Sequence, residues 1–181
     1  HKYAEIAFTP KVKAHQHRAG SRAMYAAFEN REDMNHRLGR RERDFIGARD
    51  SFYFASVSQE GWPYVQHRGG PRGFVKVLDD QSIGFADFKG NRQFITAGNI
   101  EHEERVSLLF MDYANRRRLK MFGRAQTIHA QSHVARQLAT ADYQAQVESA
   151  VVIEVVAFDW NCPQHITPRL TAEEWRSRQA G

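Results

Sequence analysis

The sequence has almost no cysteine and no long apolar segment. Its single cysteine, Cys162, cannot form an internal disulfide or supply a zinc cluster, which favours a cytoplasmic protein without a cysteine framework. The longest apolar stretch, residues 150–158, is interrupted by Glu154 and falls short of the roughly 20 apolar residues that span a membrane. The sequence therefore predicts neither a membrane segment nor a signal-like region.

The common signatures of nucleotide-binding folds, hydrolases and zinc proteases are also missing. No GxGxxG, Walker, GxSxG or HExxH pattern occurs. Nine histidines are scattered along the chain, and only His15 with His17 and His129 with His133 are closely spaced. The second pair has no accompanying carboxylate, so no metal site is expected.

What the sequence does contain is enough apolar and aromatic material for one domain. Of its 181 residues, 41% are hydrophobic and 12% are aromatic, so a single packed domain over residues 1–181 is expected rather than a disordered chain. The 26 Lys and Arg residues exceed the 21 Asp and Glu residues, which gives a net charge of +5. This excess favours an anionic partner without choosing between nucleic acid and an anionic small molecule.

Residue spacing divides the chain into a helical beginning and a β-rich body. Residues 1–50 are polar, and the helical spacing of Met24, Tyr25 and Phe28 is part of a pattern that predicts two short helices. Later helices are predicted at 89–99, 131–139 and 171–179, the last opened by a capping-box spacing. Aromatic and β-branched runs predict seven strands, at 51–57, 64–68, 73–78, 82–86, 105–112, 117–129 and 150–158. Short connections and peripheral helices then indicate a closed or split barrel.

The junction at residues 84–94 is the most informative stretch for function. It runs from a strand through Gly90 into a predicted helix start that carries Arg92, and free amides at a helix start together with a basic side chain can bind phosphate. Upstream, Arg68 and Arg72 flank a glycine-containing loop. Both loops point to one phosphorylated ligand. The alternative, equally open on spacing alone, is that the glycines serve turns and the arginines are solvated.

A second basic run occupies residues 115–120. On a strand, alternate residues share a face, so Arg116, Arg118 and Lys120 are expected to point the same way. Such a run is either a solvated edge or a place where one arginine reaches an anionic or heteroaromatic ligand.

The loop at residues 160–166 collects polar side chains after the last predicted strand. Gln164 and His165 offer hydrogen bonds and Trp160 offers a stacking surface, so the loop either lines a ligand or packs structurally. The spacing of Cys162 and His165 is no evidence of a nucleophile and base.

Several of these segments, taken together, resemble the pyridoxamine 5′-phosphate oxidase-like flavoproteins, the FMN-binding split barrels. They are residues 85–94, 72–75, 118–123 and 161–165, and the resemblance extends over residues 43–169. It is strongest to the uncharacterised branch of that family rather than to the true vitamin B6 oxidase. The resemblance implies a mainly β fold with peripheral helices, a six-stranded split β-barrel, a homodimer, and FMN bound between the two chains.

The resemblance also implies a set of FMN-binding residues. The family's arginine at the start of the third strand meets the flavin phosphate, and the backbone after it faces the ring. A second phosphate arginine falls on Arg92, and the glutamine that touches the flavin in the true oxidase falls near Arg118. No catalytic residue is assigned. The expected cofactor-binding residues are Arg72, Gly73, Phe74, Val75, Ala86, Asp87, Lys89, Gly90, Asn91, Arg92, Arg118, Gln164 and His165.

The function expected from this resemblance is that of an FMN-dependent oxidoreductase acting on an unidentified small molecule. Flavin N5 would exchange the hydride, and Arg118 near the N1/O2 edge would stabilise the anionic reduced flavin. The alternative is a binding protein on the same barrel that holds flavin or haem without turnover. Nucleic-acid binding is least favoured, because the run at residues 115–120 has no aromatic side chains for base stacking.

Overall fold

A computed structural model describes residues 1–32, 34–88, 92–139, 147–160 and 163–179 of the chain. Its strands are β1 (Ser51–Val57), β2 (Pro63–Gly69), β3 (Lys76–Val77), β4 (Ser82–Phe88), β5 (Arg105–Asp112), β6 (Arg117–His129) and β7 (Val147–Trp160). Its helices are α1 (Lys2–Ala7), α2 (Pro10–Arg18), α3 (Arg22–Glu29), α4 (Arg40–Gly47), α5 (Ile95–His102), α6 (His133–Leu138) and α7 (Ala172–Gln179). None of these described helices is long and apolar enough to cross a membrane.

The strands form one antiparallel sheet in the order β2-β1-β5-β6-β7-β4-β3. Three strands separate β1 from β4 in this order, yet the rings of Phe52 in β1 and Phe85 in β4 lie only 5.3 Å apart. The sheet therefore curls around its aromatic core, as expected for a split barrel. It has seven strands rather than the six that the resemblance implied, because the short β3 pairs with β4 at one edge.

The long strand β6 turns alternate residues toward the core. Leu119, Met121 and Ala125 point into the core together with Gly123. A Cβ atom on Gly123 would come within 2.5 Å of Ile153 Cγ2 and 2.8 Å of the Glu154 carbonyl oxygen. Glycine is required here because β7 approaches β6 this closely, at a point where their register shifts.

The predicted third strand is mostly a turn. Gly73 has a φ of +79°, and the Phe74 amide donates to the Pro71 carbonyl, so the chain turns back before β3 begins at Lys76. Phe74 and Val75 consequently pack their side chains into the core. The aromatic and β-branched composition of residues 73–78 indicated a strand, but glycine and proline at its start favour the turn.

The N-terminal region contains four helices rather than the two predicted. Thr9 caps the second, Pro10 occupies its first turn, and Gly20 follows its end with a φ of +70°, so the helical pattern breaks more often than the apolar spacing indicated. Tyr3 of α1 stacks on Phe122 of β6 at 4.7 Å between ring centroids. The outer face of β6 is therefore covered by protein at this point and is not a solvated edge.

Two C-terminal features have clear local causes. The Thr171 hydroxyl accepts from the Glu174 amide at 3.2 Å, and a Glu174 carboxylate oxygen accepts from the Thr171 amide at 2.8 Å, which confirms the predicted capping box of α7. Trp160 donates its indole N–H to Glu42 at 2.8 Å and packs edge-on against Phe45 of α4. Trp160 thus ties α4 to the end of β7.

Candidate functional site

A groove opens where β2, β4, the start of β7 and the start of α5 meet. We call it the Arg68–Arg92 groove. Tyr64, Gln66 and Arg68 alternate along β2 and present one face to it. It contains about 500 Å³ of space between protein atoms, counting its open mouth. Its lining residues are Tyr64, Gln66, Arg68, Asp87, Phe88, Arg92, Gln93, Phe94, Ile95, Thr96, Ala97 and Glu148.

Two ion pairs cross this groove. Arg68 Nη1 donates to Asp87 Oδ1 at 2.5 Å and so joins β2 to β4 across the mouth of the barrel. Arg92 donates through both Nε and Nη2 to a single oxygen of Glu148, at 2.9 and 2.7 Å. The Nε atom of Arg68 is buried and has no hydrogen-bond partner among the residues that the structure describes. The groove thus holds two guanidinium groups and retains one buried donor that its own residues leave unsatisfied.

The backbone at the start of α5 is strained. Arg92 has a φ of +58° and Phe94 a φ of +54°, both in the left-handed region that non-glycine residues rarely occupy. Such residues cost on the order of 1–3 kcal/mol each and concentrate at binding sites. In the described part of the chain, no side chain caps the first amides of α5. The first turn of a helix carries amides without intrahelical partners, so this wall places such N–H groups beside Arg92.

The electrostatic environment of Asp87 is unfavourable for its charged form. Burial raises the pKa of Asp87, the nearby Arg68 guanidinium opposes that shift only in part, and the Glu148 carboxylate raises the pKa further. An ionisable group whose pKa is perturbed by burial and by specific charged neighbours in a groove is typical of a functional site.

A second groove lies at the other side of the loop that follows β2, and we call it the Arg49–Arg72 groove. It is lined by residues of the α4–β1 connection, the β5–β6 turn and the segment before α7, including Arg49, Arg72 and Arg169. Arg49 donates to the Phe45 and Met111 carbonyls, both at 3.2 Å. The Arg169 guanidinium lies 5.1 Å from the centroid of the Tyr113 ring.

Of the predicted site residues, the Arg68–Arg92 groove brings together Asp87 and Arg92, the latter with its guanidinium on the groove wall. Arg72 is exposed and lines the Arg49–Arg72 groove instead. Ala86 of β4 and Phe74 of the turn before β3 line a neighbouring pocket together with Arg68 and Asp87, while Gly73 and Val75 belong to that turn. The predicted residues that lie outside the described part of the chain are Lys89, Gly90 and Asn91, together with Cys162 of the polar loop.

The remaining predicted residues lie away from this groove. Arg118 is on the outer face of β6, where its Nε atom is buried and has no hydrogen-bond partner within the described residues. Gln164 and His165 are exposed, and His165 has a φ of +65°. These three residues therefore do not meet Arg92 within a single chain.

Sequence reasoning missed Tyr64, Gln66, Thr96 and Glu148 as groove residues. The first two share a strand face with Arg68, so the period of two along β2 could have identified them. Thr96 donates its hydroxyl to Gln66 at 2.7 Å, which fixes α5 against β2. Glu148 had no local signal, because its position depends on how β7 pairs with β4.

Comparison with known proteins identifies the family. A model of the pyridoxamine 5′-phosphate oxidase family matches residues 38–178, which include both grooves and most of the chain. The chain belongs to the pyridoxamine 5′-phosphate oxidase family. The resemblance found in the sequence is thereby confirmed, and the first three helices lie outside the matched region. No curated sequence is significantly similar to the chain.

Solved structures show the same fold at low sequence identity. A putative pyridoxamine 5′-phosphate oxidase from Lactobacillus delbrueckii has a TM-score of 0.54 and 16% identity, covering 70% of this chain and 96% of its own. HupZ from Group A Streptococcus has a TM-score of 0.55 and 16% identity, covering 74% and 99%. An FMN-binding protein from Syntrophomonas wolfei has a TM-score of 0.53 and 10% identity, covering 80% and 96%.

The residues of the Arg68–Arg92 groove fit the phosphate end of a flavin nucleotide. Two guanidinium groups, the first-turn amides of α5 and the Nε of Arg68, which has no partner among the described residues, are all donors suited to phosphate oxygens. The buried, unpartnered Nε of Arg68 is the strongest single sign, because such a donor is expensive to leave unpaired and a bound acceptor would satisfy it.

Proposed function

We propose that this protein is an FMN-binding oxidoreductase that holds the flavin phosphate in the Arg68–Arg92 groove. The observation that carries the proposal is the convergence of Arg68, with its unsatisfied Nε, and Arg92 on the uncapped start of α5. Membership of the pyridoxamine 5′-phosphate oxidase family supports it, as does the fold shared with an FMN-binding protein. Bound FMN supplies the hydride and electron chemistry, and the substrate is a small molecule.

The flavin ring requires groups that one chain does not place beside the phosphate groove. Arg118, expected near the N1/O2 edge of the ring, lies on the outer face of β6 and does not line that groove. We therefore propose a homodimer in which a second copy brings Arg118, Gln164 and His165 to the cofactor. The buried, unpartnered Nε of Arg118 supports this arrangement, since a flavin carbonyl oxygen could accept from it.

The Arg92→Ala variant tests the phosphate site. A charge-assisted hydrogen bond is worth roughly 1.5–3 kcal/mol, so this change should weaken FMN binding by about tenfold to more than a hundredfold. Arg92→Lys should fall between wild type and alanine, because lysine restores the charge but not the planar fork. Riboflavin, which has no phosphate, should lose much less affinity.

The matched control is Arg37→Ala, which removes an arginine of similar exposure from an ion pair with Asp80 outside the groove. It should leave FMN affinity unchanged. Fluorescence titration of apo-protein with FMN and riboflavin, with thermal unfolding of each variant, separates binding from stability. If Arg92→Ala bound both ligands as tightly as wild type, the phosphate site would lie elsewhere.

A second candidate function is retention of the cofactor without turnover. It rests on the same groove, because Arg68 and Arg92 would hold the phosphate of FMN whether or not the bound flavin turns over. The two candidates differ in the reactivity of the bound flavin. An oxidoreductase should reduce FMN with NADH or NADPH, or reoxidise reduced FMN, faster than free FMN reacts, whereas a carrier should slow both reactions.

A further inference from the structure

Glu148 occupies an irregular position in β7. In the ladder between β4 and β7, Asp87 pairs with Ser149 and Phe88 pairs with Val147, so Glu148 is an extra residue with no partner in β4. A regular strand would direct residue 148 to the face opposite that of Ser149. The bulge breaks this alternation and re-aims the side chain, with the result that Glu148 lines the same groove as Asp87.

From this bulge, Glu148 accepts both hydrogen bonds from the edge of Arg92 that carries Nε and Nη2. The Nε and Nη2 atoms of the guanidinium both donate to one Glu148 oxygen. Paired donors on one edge of a guanidinium are the fork that recognises a phosphate in two-pronged fashion. A phosphate that binds Arg92 through this edge must therefore displace the carboxylate.

The charges in the groove oppose the displacement of Glu148 by a phosphate. Asp87 and Glu148 already balance Arg68 and Arg92, and the Glu148 side chain is the more sheltered partner of its pair, with 26% exposed against 58% for Arg92. A phosphate monoester carries a charge of about −1.5 to −2 at neutral pH. It would enter beside two carboxylates, so it meets repulsion as well as competition for Arg92.

We propose that Glu148 is a built-in competitor of the ligand phosphate for Arg92, which weakens the binding of phosphorylated flavin and makes it exchangeable. The inference rests on the proposed function, because it assumes that a flavin phosphate enters this groove. Glu148 is a specificity-determining residue in this account: its carboxylate narrows the difference in affinity between FMN and riboflavin.

The test is titration of apo-protein with FMN and with riboflavin in the wild type, Glu148→Gln and Glu148→Ala. An exposed ion pair contributes up to about 1 kcal/mol, so Glu148→Gln should tighten FMN binding about two- to fivefold and leave riboflavin unchanged. Glu148→Ala, which removes the acceptor as well as the charge, should tighten FMN binding at least as much. The gain should shrink as salt is added, since it is electrostatic.

Glu103→Gln is the matched control, because Glu103 accepts through its carboxylate from Arg105 in a similar pair outside the groove. It should not change FMN affinity. In the Arg92→Ala background, Glu148→Gln should lose the part of its effect that comes from competition for Arg92 and keep only the part that comes from direct repulsion of the phosphate.

The outcomes separate the two proposals. If Glu148→Gln weakened FMN binding, Glu148 would orient Arg92 for the phosphate rather than compete with it, and the inference would be overturned. It would also be overturned if Glu148→Gln changed nothing while Arg92→Ala still weakened FMN binding. If Arg92→Ala itself had no effect on FMN, the failure would lie with the proposed phosphate site.

Discussion

Two aspartates that each accept hydrogen bonds from an arginine have pKa values shifted in opposite directions. Asp112, at the end of β5, is the more deeply buried, with 2% of its side chain exposed against 28% for Asp87 in the Arg68–Arg92 groove. Burial raises the pKa of Asp87 and outweighs the effect of Arg68. Burial opposes the charge of Asp112 as well, but hydrogen bonds from Arg117 and Asn115 and the charge of Arg49 lower its pKa overall.

The larger number of donors around Asp112 contributes to this difference. Asp112 accepts from the backbone and side-chain nitrogens of Asn115 and from Arg117 at 2.8 Å, and it pairs with Arg49 at 3.7 Å. Asp87 accepts from Arg68, and among the described residues the Glu148 carboxylate also raises its pKa. The network beneath the Arg49–Arg72 groove is therefore complete, whereas the Arg68–Arg92 groove keeps charges that a ligand could satisfy.

The largest effect that would test this contrast is on stability. Asp112→Ala leaves Arg49 without its buried counter-charge and should lower the free energy of unfolding by about 3 kcal/mol. FMN affinity of the protein that remains folded should stay within about twofold of wild type, because Asp112 does not line the Arg68–Arg92 groove. Urea unfolding and FMN titration measure the two quantities.

Asp80→Ala is the control for that prediction. Asp80 pairs with Arg37 at 2.5 Å, but both side chains are nearly half exposed, so its loss should lower the free energy of unfolding by less than about 1 kcal/mol. Asp112→Ala could lower the free energy of unfolding no more than Asp80→Ala does. The buried network would then not stabilise the fold, and the contrast between the two grooves would fail.

Lowering the pH should change the contributions of Asp112 and Asp87 to the free energy of unfolding in opposite directions. The pKa of Asp112 is lowered from 3.8, so its contribution to stability is complete above that value and is lost as the pH falls through the folded-state pKa. The pKa of Asp87 is raised from 3.8, so its contribution becomes more favourable as the pH falls through the folded-state pKa toward 3.8. Asp112→Asn should therefore flatten the acid dependence of the free energy of unfolding, whereas Asp87→Asn should not.

Part of the acid dependence should survive in Asp112→Asn. Hydrogen bonds from Arg105 lower the pKa of Glu103 to about 2, so this group also loses its charge in strong acid. Urea unfolding at several pH values from about 6 down to about 2 measures the dependence. An Asp112→Asn curve parallel to that of wild type would contradict the lowered pKa of Asp112.

Local patterns in the sequence were sufficient for much of the sheet. The predicted bounds 51–57, 105–112 and 117–129 agree with β1, β5 and β6, because alternating apolar residues there face the core over whole strands. The third strand was overestimated, since Gly73 and Pro71 turn the chain where composition indicated β structure. The four N-terminal helices depend on caps and breaks that apolar spacing does not reveal.

The candidate site could be predicted from the sequence only where its residues are local to one junction. Arg92 and Asp87 flank the same strand-to-helix connection and were both named. Arg72 was assigned to the same phosphate, but the turn at Gly73 directs that loop to the other groove. Glu148 reaches the site through a bulge in the pairing of β7 with β4, a long-range feature with no local signature.

The smallest effect is expected for Arg72→Ala, which tests whether the two grooves are functionally distinct. Arg72 is exposed and lines the Arg49–Arg72 groove, so its removal should change FMN affinity by no more than about threefold, through screened long-range charge. Stability should be unchanged or slightly higher. Burial chiefly lowers the pKa of Arg49, and the charges of Arg117 and Arg72 add to this by repulsion, which the variant relieves in part.

Titration with FMN and riboflavin beside Arg92→Ala makes the comparison. A loss of FMN affinity as large as that of Arg92→Ala, with riboflavin spared, would mean that both arginines meet one phosphate, and the two grooves would not be functionally distinct.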